Sequence, residues 1–317
     1  MEVRMSTDWR LRSRTLALGH RTRVMGVVNI TPDSFSDGGL YFAPEAAVEH
    51  ALQLLDEGAD LLDLGAESTR PGSHVGSDSA TVSAEEEQAR LLPVIEGVLK
   101  ARPDAIISVD TYKAATARAA LQAGAEIVND VSGLLWDTDM AAVCCEAGAG
   151  VVLMHTRGTP DEWKTQPKLA PDAVLDMVRS GLANSMDVAI AAGIAPESLV
   201  LDPGYGFGKR FGENYSLLAR QGELLALGRP LLAGVSRKSF LGQGLAKPHG
   251  DTDGVRMPGE TRENASLAAM TAAILNGASI VRVHAVRAAV DAAQVADSII
   301  NSILVSRSPQ DQSGNRT

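Results

Sequence analysis

The stretch IISVDTYKAATARAALQAGAEIVNDVSG (106–133) holds two short apolar runs with a helix-period segment between them. Ile106–Val109 reads as a strand that ends in Asp110-Thr111, and Ile127–Val128 as a second that ends in Asn129-Asp130. Residues 113–123 between them carry apolar side chains at helical spacing. A helical crossover returns the chain to the starting end of the sheet, so the two strands lie parallel.

The same unit recurs on both sides. Strands are predicted at Val24–Val28, Leu61–Leu64, Val151–Met154, Leu199–Leu201, Leu231–Val235 and Ile280–Val283 as well. Helices are predicted near 44–57, 84–101, 113–123, 139–147, 173–192, 214–227, 262–276 and 286–303. Eight strand–helix units closing on themselves make an α/β fold of one kind, a single (β/α)8 TIM barrel. An open doubly wound sheet is the alternative, but it does not need eight units, and no G-x-G-x-x-G follows the first strand. Long loops span Ile30–Ala43 and Gly65–Ser83 after strands one and two, and Gly242–Thr261 near the seventh helix. Residues 1–23 read as a polar, irregular N-terminal arm, 24–304 as the barrel, and 305–317 as a disordered tail.

The chain has 317 residues, 45% hydrophobic and 21% charged, with a formal charge of −10. That composition excludes a largely disordered or collagen-like chain. No basic run suggests a nucleic-acid surface, and no 18-residue apolar run suggests a membrane span. Cys144 and Cys145 are adjacent and have no third partner, which excludes a disulfide scaffold and favours a reducing compartment. With no secretory signal legible, the expectation is a cytoplasmic protein.

Polar groups gather where the strands end. They are Asn29, Asp110, Asn129, His155, Asp202, Ser236-Arg237-Lys238-Ser239 and Arg282-Val283-His284, with Asp63 inside strand two and Arg70 on the loop after it. One Asp or Asn after a strand is most often a helix cap or turn former. Eight such ends are different, because a closed barrel brings them into one mouth, and capping does not call for Lys238, Arg70, Arg282 and His284. Asp110, Asn129, Asp202 and Lys238 suit the donor and acceptor edge of a polar heterocycle. Arg70, Arg282, His284 and Asn29 suit a phosphate or pyrophosphate.

The motifs MGVVNITPDSFSDGG (25–39), ESTRPG (67–72), SVDT (108–111), NDVSG (129–133), LMHTRGTP (153–160), LDPGYGFGK (201–209), SRKS (236–239) and RVH (282–284) resemble those of the dihydropteroate synthase family, in family order from Val24 to Ile303. The chain also looks similar to the divergent second copy of this synthase found in actinobacteria. A methyltetrahydrofolate methyltransferase barrel shares the Asp and Asn contacts but not the ESTRPG and SRKS pair. The resemblance implies a folate-pathway transferase, of a family targeted by sulfonamides. Such an enzyme joins 6-hydroxymethyl-7,8-dihydropterin pyrophosphate to p-aminobenzoate, giving dihydropteroate and pyrophosphate. By motif match Asp110, Asn129, Asp202 and Lys238 would hold the pterin. Asn29, Arg70, Arg282 and His284 would hold the pyrophosphate, with Mg2+ at Asn29. Phe35, Thr69, Pro71, Phe207 and Ser239 would shape the p-aminobenzoate pocket, and Asp37 would order the closed state. The chemistry would rest on Asp110, Lys238, Arg282 and His284. A homodimer through the last helices is implied, where Val290, Val295, Ile299, Ile300 and Ile303 form an apolar face.

Four positions depart from the family pattern. Ala66 replaces the second glycine of Gly-Gly-Glu, Ala285 replaces the aspartate after His284, Glu213 replaces a common histidine, and residues 73–83 are inserted. Ala66 is expected to restrict a backbone that needs unusual dihedrals, and Ala285 to leave His284 poorly oriented. Together they predict weakened turnover, or an inactive paralogue that keeps the pocket.

Overall fold

A computed structural model describes residues 4–31, 44–67, 82–163, 165–245 and 262–307. Eight parallel strands close into a barrel. They are β3 (Arg23–Asn29), β4 (Leu61–Gly65), β5 (Ile107–Asp110), β6 (Ile127–Asp130), β7 (Gly150–Met154), β8 (Leu199–Asp202), β9 (Leu231–Ala233) and β10 (Ala278–Val283), and β10 pairs back onto β3. The outer helices are α1 (Pro44–Asp56), α2 (Ala84–Ala101), α3 (Ala114–Gln122), α4 (Met140–Ala147), α5 (Pro171–Ala191), α6 (Phe211–Arg220), α7 (Ser239–Leu245), α8 (Glu263–Leu275) and α9 (Val286–Arg307). This is the predicted (β/α)8 fold. Within the stretch predicted as one helix over 214–227, α6 gives way to a 3-10 segment, Gln221–Leu227.

Strand parity sorts the side chains. Outward residues such as Val24, Leu62, Val109, Val128 and Leu153 join the core under the helices. Inward residues Met25, Leu61, Ile127, Val152, Val200, Leu232 and Ile280 form a separate apolar layer inside the barrel. Two residues further along the strands, the inward positions turn polar: Asp63, Asn129, Asp202 and Arg282. The barrel is therefore oily at its lower end and charged toward the strand C-termini, the end where barrel enzymes carry their sites.

The expected irregular arm is instead a closure of the lower end. β1 (Thr7–Arg10) and β2 (Thr15–Leu18) form an antiparallel hairpin. Its Trp9, Leu11 and Leu18 join the inner apolar layer, and Trp9 Nε1 donates to the Ser198 carbonyl at 2.8 Å. Only one residue in each four-residue strand is buried, too few to register as alternation in the sequence. Arg4, almost fully buried, ties this segment to α9 through Asp297 at 2.6 Å and reaches Thr22 at 2.8 Å. Among the described residues, no helix is long and apolar enough to cross a membrane.

Candidate active site

The mouth is organised around one buried carboxylate. Asp63 lies mid-strand on β4 with no exposed surface. It accepts from Ser108 Oγ at 2.6 Å, Asn129 Nδ2 at 3.0 Å and Arg282 Nε at 2.5 Å. Arg282 Nη2 turns to Asp110 at 2.7 Å. One guanidinium thus bridges two carboxylates and fixes β4, β5, β6 and β10 together. Asp63 is a charge at inward parity within an apolar strand, LLDLG, a signal to which the sequence reading attaches no role. Ionised groups are rarely buried without partners.

Asp110, Asn129, Asp202, Lys238 and Arg282 all line this mouth. Burial pushes the Asp110 carboxyl up to about 7, against the lowering effect of Arg282 and with Asp63 adding to the rise. Burial raises Asp202 as well, opposed by the Gly204 amide, which donates to Asp202 Oδ1 at 2.7 Å. Burial and Arg282 bring Lys238 down to about 8, while Asp202 and Asp110 oppose the drop. The Lys238 ammonium sits 3.9 Å from the centre of the Phe207 ring. Two inward glycines keep space beside the carboxylates. A Cβ at Gly65 would stand 3.3 Å from Asp110 Cβ, and one at Gly234 would stand 3.6 Å from Asp202 Oδ2.

The loops that present these groups are built by their own chemistry. Gly204, Gly206 and Gly208 all have positive φ. The zigzag sends Tyr205 down to Gln221 and Phe207 toward the mouth. Lys209 Nζ donates to the carbonyls of His155 (3.0 Å), Gly204 (2.7 Å) and Phe207 (3.3 Å). Burial brings its pKa down to about 7, yet three acceptors match the three N–H bonds of the ammonium form. Arg237 holds a left-handed backbone, φ 57°, which costs of order 1–3 kcal/mol. Its amide donates to Ser266 Oγ at 2.8 Å and its carbonyl accepts from Arg262 at 2.7 Å, so the N-terminal end of α8 holds the bend before Lys238.

A family model described as pterin binding enzyme matches residues 25–284. Dihydropteroate synthase of Mycobacterium leprae is 46% identical over 86% of this chain and 92% of its own. The chain belongs to the dihydropteroate synthase family. Among solved structures, the Xanthomonas albilineans synthase with 4-aminobenzoic acid is 40% identical with a TM-score of 0.81, covering 93% of this chain and 98% of that one. The same organism's enzyme in complex with 7,8-dihydropteroate is 39% identical with a TM-score of 0.76, covering 92% and 98%.

The departures from the family pattern have local explanations. Ala66 is buried and is not among the described non-glycine residues with positive φ, which are Leu134 and Arg237. Its backbone lies outside the left-handed region. Nor does Ala285 leave His284 adrift, since Ser236 Oγ lies 3.0 Å from its Nδ1 and accepts from its backbone amide at 3.3 Å. Glu213 is structural: its carboxylate accepts from the Arg210 amide at 2.7 Å and the Leu169 amide at 2.8 Å. Of the insertion, Ser83 caps α2 by accepting from the Glu86 amide at 3.2 Å.

Phe35, Asp37, Thr69, Arg70, Pro71 and residues 73–81 lie outside the described residues. Ser239 opens α7 directly after Lys238. Arg282, expected on a phosphate, spends two of its donors on Asp63 and Asp110. Among the described residues no group of three His, Cys, Asp or Glu side chains could hold a metal.

Proposed function

We propose that the protein is a working dihydropteroate synthase. The observation that carries this reading is the convergence of Asp63, Asp110, Asn129, Asp202, Lys238 and Arg282 at one barrel mouth. Asp202 and Asn129 would bind the guanidine-like edge of the pterin, where a carboxylate accepts from N–H groups, and Lys238 would donate to its carbonyl or ring nitrogen. His284, Asn29, Arg70 and the remaining donors of Arg282 would take the pyrophosphate. Phe207, Phe35, Thr69, Pro71 and Ser239 would border the p-aminobenzoate.

The C–O bond to pyrophosphate breaks first, leaving a cation at the pterin methylene. The Asp110 carboxylate, held in place by Arg282, stabilises that charge. The amine of p-aminobenzoate then forms the C–N bond and loses a proton. Asn29 ends β3 at inward parity opposite Gly65, which leaves room between it and Asp110. One amide oxygen there fits Mg2+, which takes few protein ligands and completes its shell with water and substrate phosphates. Bound there, the ion would neutralise charge on the departing pyrophosphate.

We place the protein in the cytoplasm, and as a homodimer through α9. Val295 and Ile299 are 61% and 41% exposed on that helix, whereas Ile300 is buried. Sedimentation of a Val295→Glu variant tests the dimer, which should dissociate. For the activity, purified protein is given both substrates and Mg2+ and pyrophosphate release is followed. A kcat in the usual enzyme range of about 1–10³ s⁻¹ is expected. Binding of both substrates without release would instead identify a paralogue that kept the pocket and lost the reaction.

A further inference from the structure

The loop between β7 and α5 carries a tryptophan that none of the roles above uses. Trp163 is 7% exposed, although it sits in a connection at the barrel mouth. A short turn puts it there. Glu162 accepts from the Thr159 amide at 2.7 Å and from its hydroxyl at 3.0 Å, and the Glu162 amide donates to the Thr159 carbonyl. The Trp163 indole N–H then donates to the Gly158 carbonyl at 3.1 Å, which fixes the ring plane.

That ring meets Phe207 edge to face, with centroids 5.2 Å apart and planes at 88°. It also lies along the backbone of Gly208, where a Cβ would come within 3.0 Å of Trp163 Cδ1. The Phe207 main chain is separately pinned. Its carbonyl accepts from Lys209 Nζ at 3.3 Å and from the Arg157 amide at 3.4 Å, and its amide donates to Gly204. The backbone bonds leave the ring free to turn about its side-chain torsions. Trp163 removes that freedom, and the ring is held with its face under the Lys238 ammonium, 3.9 Å away.

We propose that Trp163 is a positioning residue for the aromatic-amine subsite, acting through Phe207. The inference rests on the functional reading above, which puts p-aminobenzoate beside Phe207. Trp163 need not touch the substrate. It sets the tilt of the ring, and so the width of the slot that a flat aromatic acid enters next to Lys238.

The test is a double-mutant cycle on Trp163→Ala and Phe207→Leu, with Trp163→Phe as the conservative variant. In Trp163→Ala the KM for p-aminobenzoate should rise about three- to tenfold, the size expected for losing one aromatic pair. The KM for the pterin pyrophosphate and kcat should stay within roughly twofold. Trp163→Phe should recover most of the loss. Because one residue acts through the other, the double variant should be no worse than Phe207→Leu alone. Additive effects, or equal rises in both KM values, would overturn the proposal. A crystal structure of unliganded Trp163→Ala checks it without turnover: the Phe207 ring should swing away from Lys238, and an unmoved ring would refute the link. A wild-type protein that releases no pyrophosphate would contradict the synthase reading, while the ring position still decides the role of Trp163.

Discussion

Asp63 takes three hydrogen bonds, one of them from the guanidinium that bridges it to Asp110, and this makes Arg282 a structural group besides its proposed part in binding. Removing one member of a buried ion pair strands the other, at a cost of about 3–5 kcal/mol. Arg282→Ala should therefore lower unfolding free energy by that order in urea titrations, besides weakening pyrophosphate binding. A loss below about 1 kcal/mol would mean that the pairing contributes little. The same guanidinium opposes the effect of burial on Asp110. Burial has raised that carboxyl to about 7 even with Arg282 opposing the rise. Carboxyl-carbon NMR on Asp-labelled protein, assigned with Asp110→Asn, should give a midpoint near that value, moving higher still in Arg282→Ala. The sign matters for catalysis. As pH falls through the midpoint Asp110 gains a proton, and the negative charge facing the pterin methylene is lost, so kcat should fall on the acid side. An ordinary carboxylate midpoint near 4 would contradict this.

At the scale of elements, Glu213 stands where the family commonly has histidine, and it does the work of a capping box. It satisfies the amide of Arg210, the residue that caps α6, and the Leu169 amide in the loop before α5. Glu213→Ala leaves two amides without acceptors and should cost roughly 1–3 kcal/mol of stability. Glu213→Gln, which keeps one acceptor oxygen, should cost less; equal stability of both variants with wild type would remove the capping role. The strand and helix runs were legible because β3 to β10 each show a dense apolar stretch and most of the helices show regular periodicity, although α4 and α8 are apolar nearly all round. The β1–β2 hairpin was not, because Trp9 and Leu18 are single buried residues in strands of four. The end of the helix predicted over 214–227 tightens into 3-10 geometry, a change that hydrophobic spacing does not encode. Ala66 and Ala285 depart from the family pattern in the sequence; the fold adds that Ser236, from the neighbouring strand end, lies beside the His284 ring, a contact that spacing along the chain does not encode.

Across the described residues the barrel interior changes from hydrocarbon to charge along its axis, with Trp9 at the lower end and the carboxylates toward the strand C-termini. Its net charge of −10 opposes anionic substrates only weakly, since screening at physiological salt acts within about 8 Å. On the proposed reading, capture is local to the mouth. Asp110, Asn129, Asp202 and Lys238 were legible because each ends a strand or follows one. Asp63 was visible in strand two but carried no role, because its partners Ser108, Asn129 and Arg282 come from three other strands; Trp163 lies in a loop whose fold depends on Thr159 and Glu162. If the mouth is the pterin site, Asp202 accepts from the ligand's N–H groups, and its loss should cost the affinity of a charged hydrogen bond. The deciding measurement is calorimetric titration of pteroic acid into wild-type protein and Asp202→Ala. The expected result is saturable binding to wild type and an affinity lower in the variant by about 1.5–3 kcal/mol, or roughly 10- to 150-fold. Equal affinity for the two proteins, or no binding by wild type, would contradict the assignment.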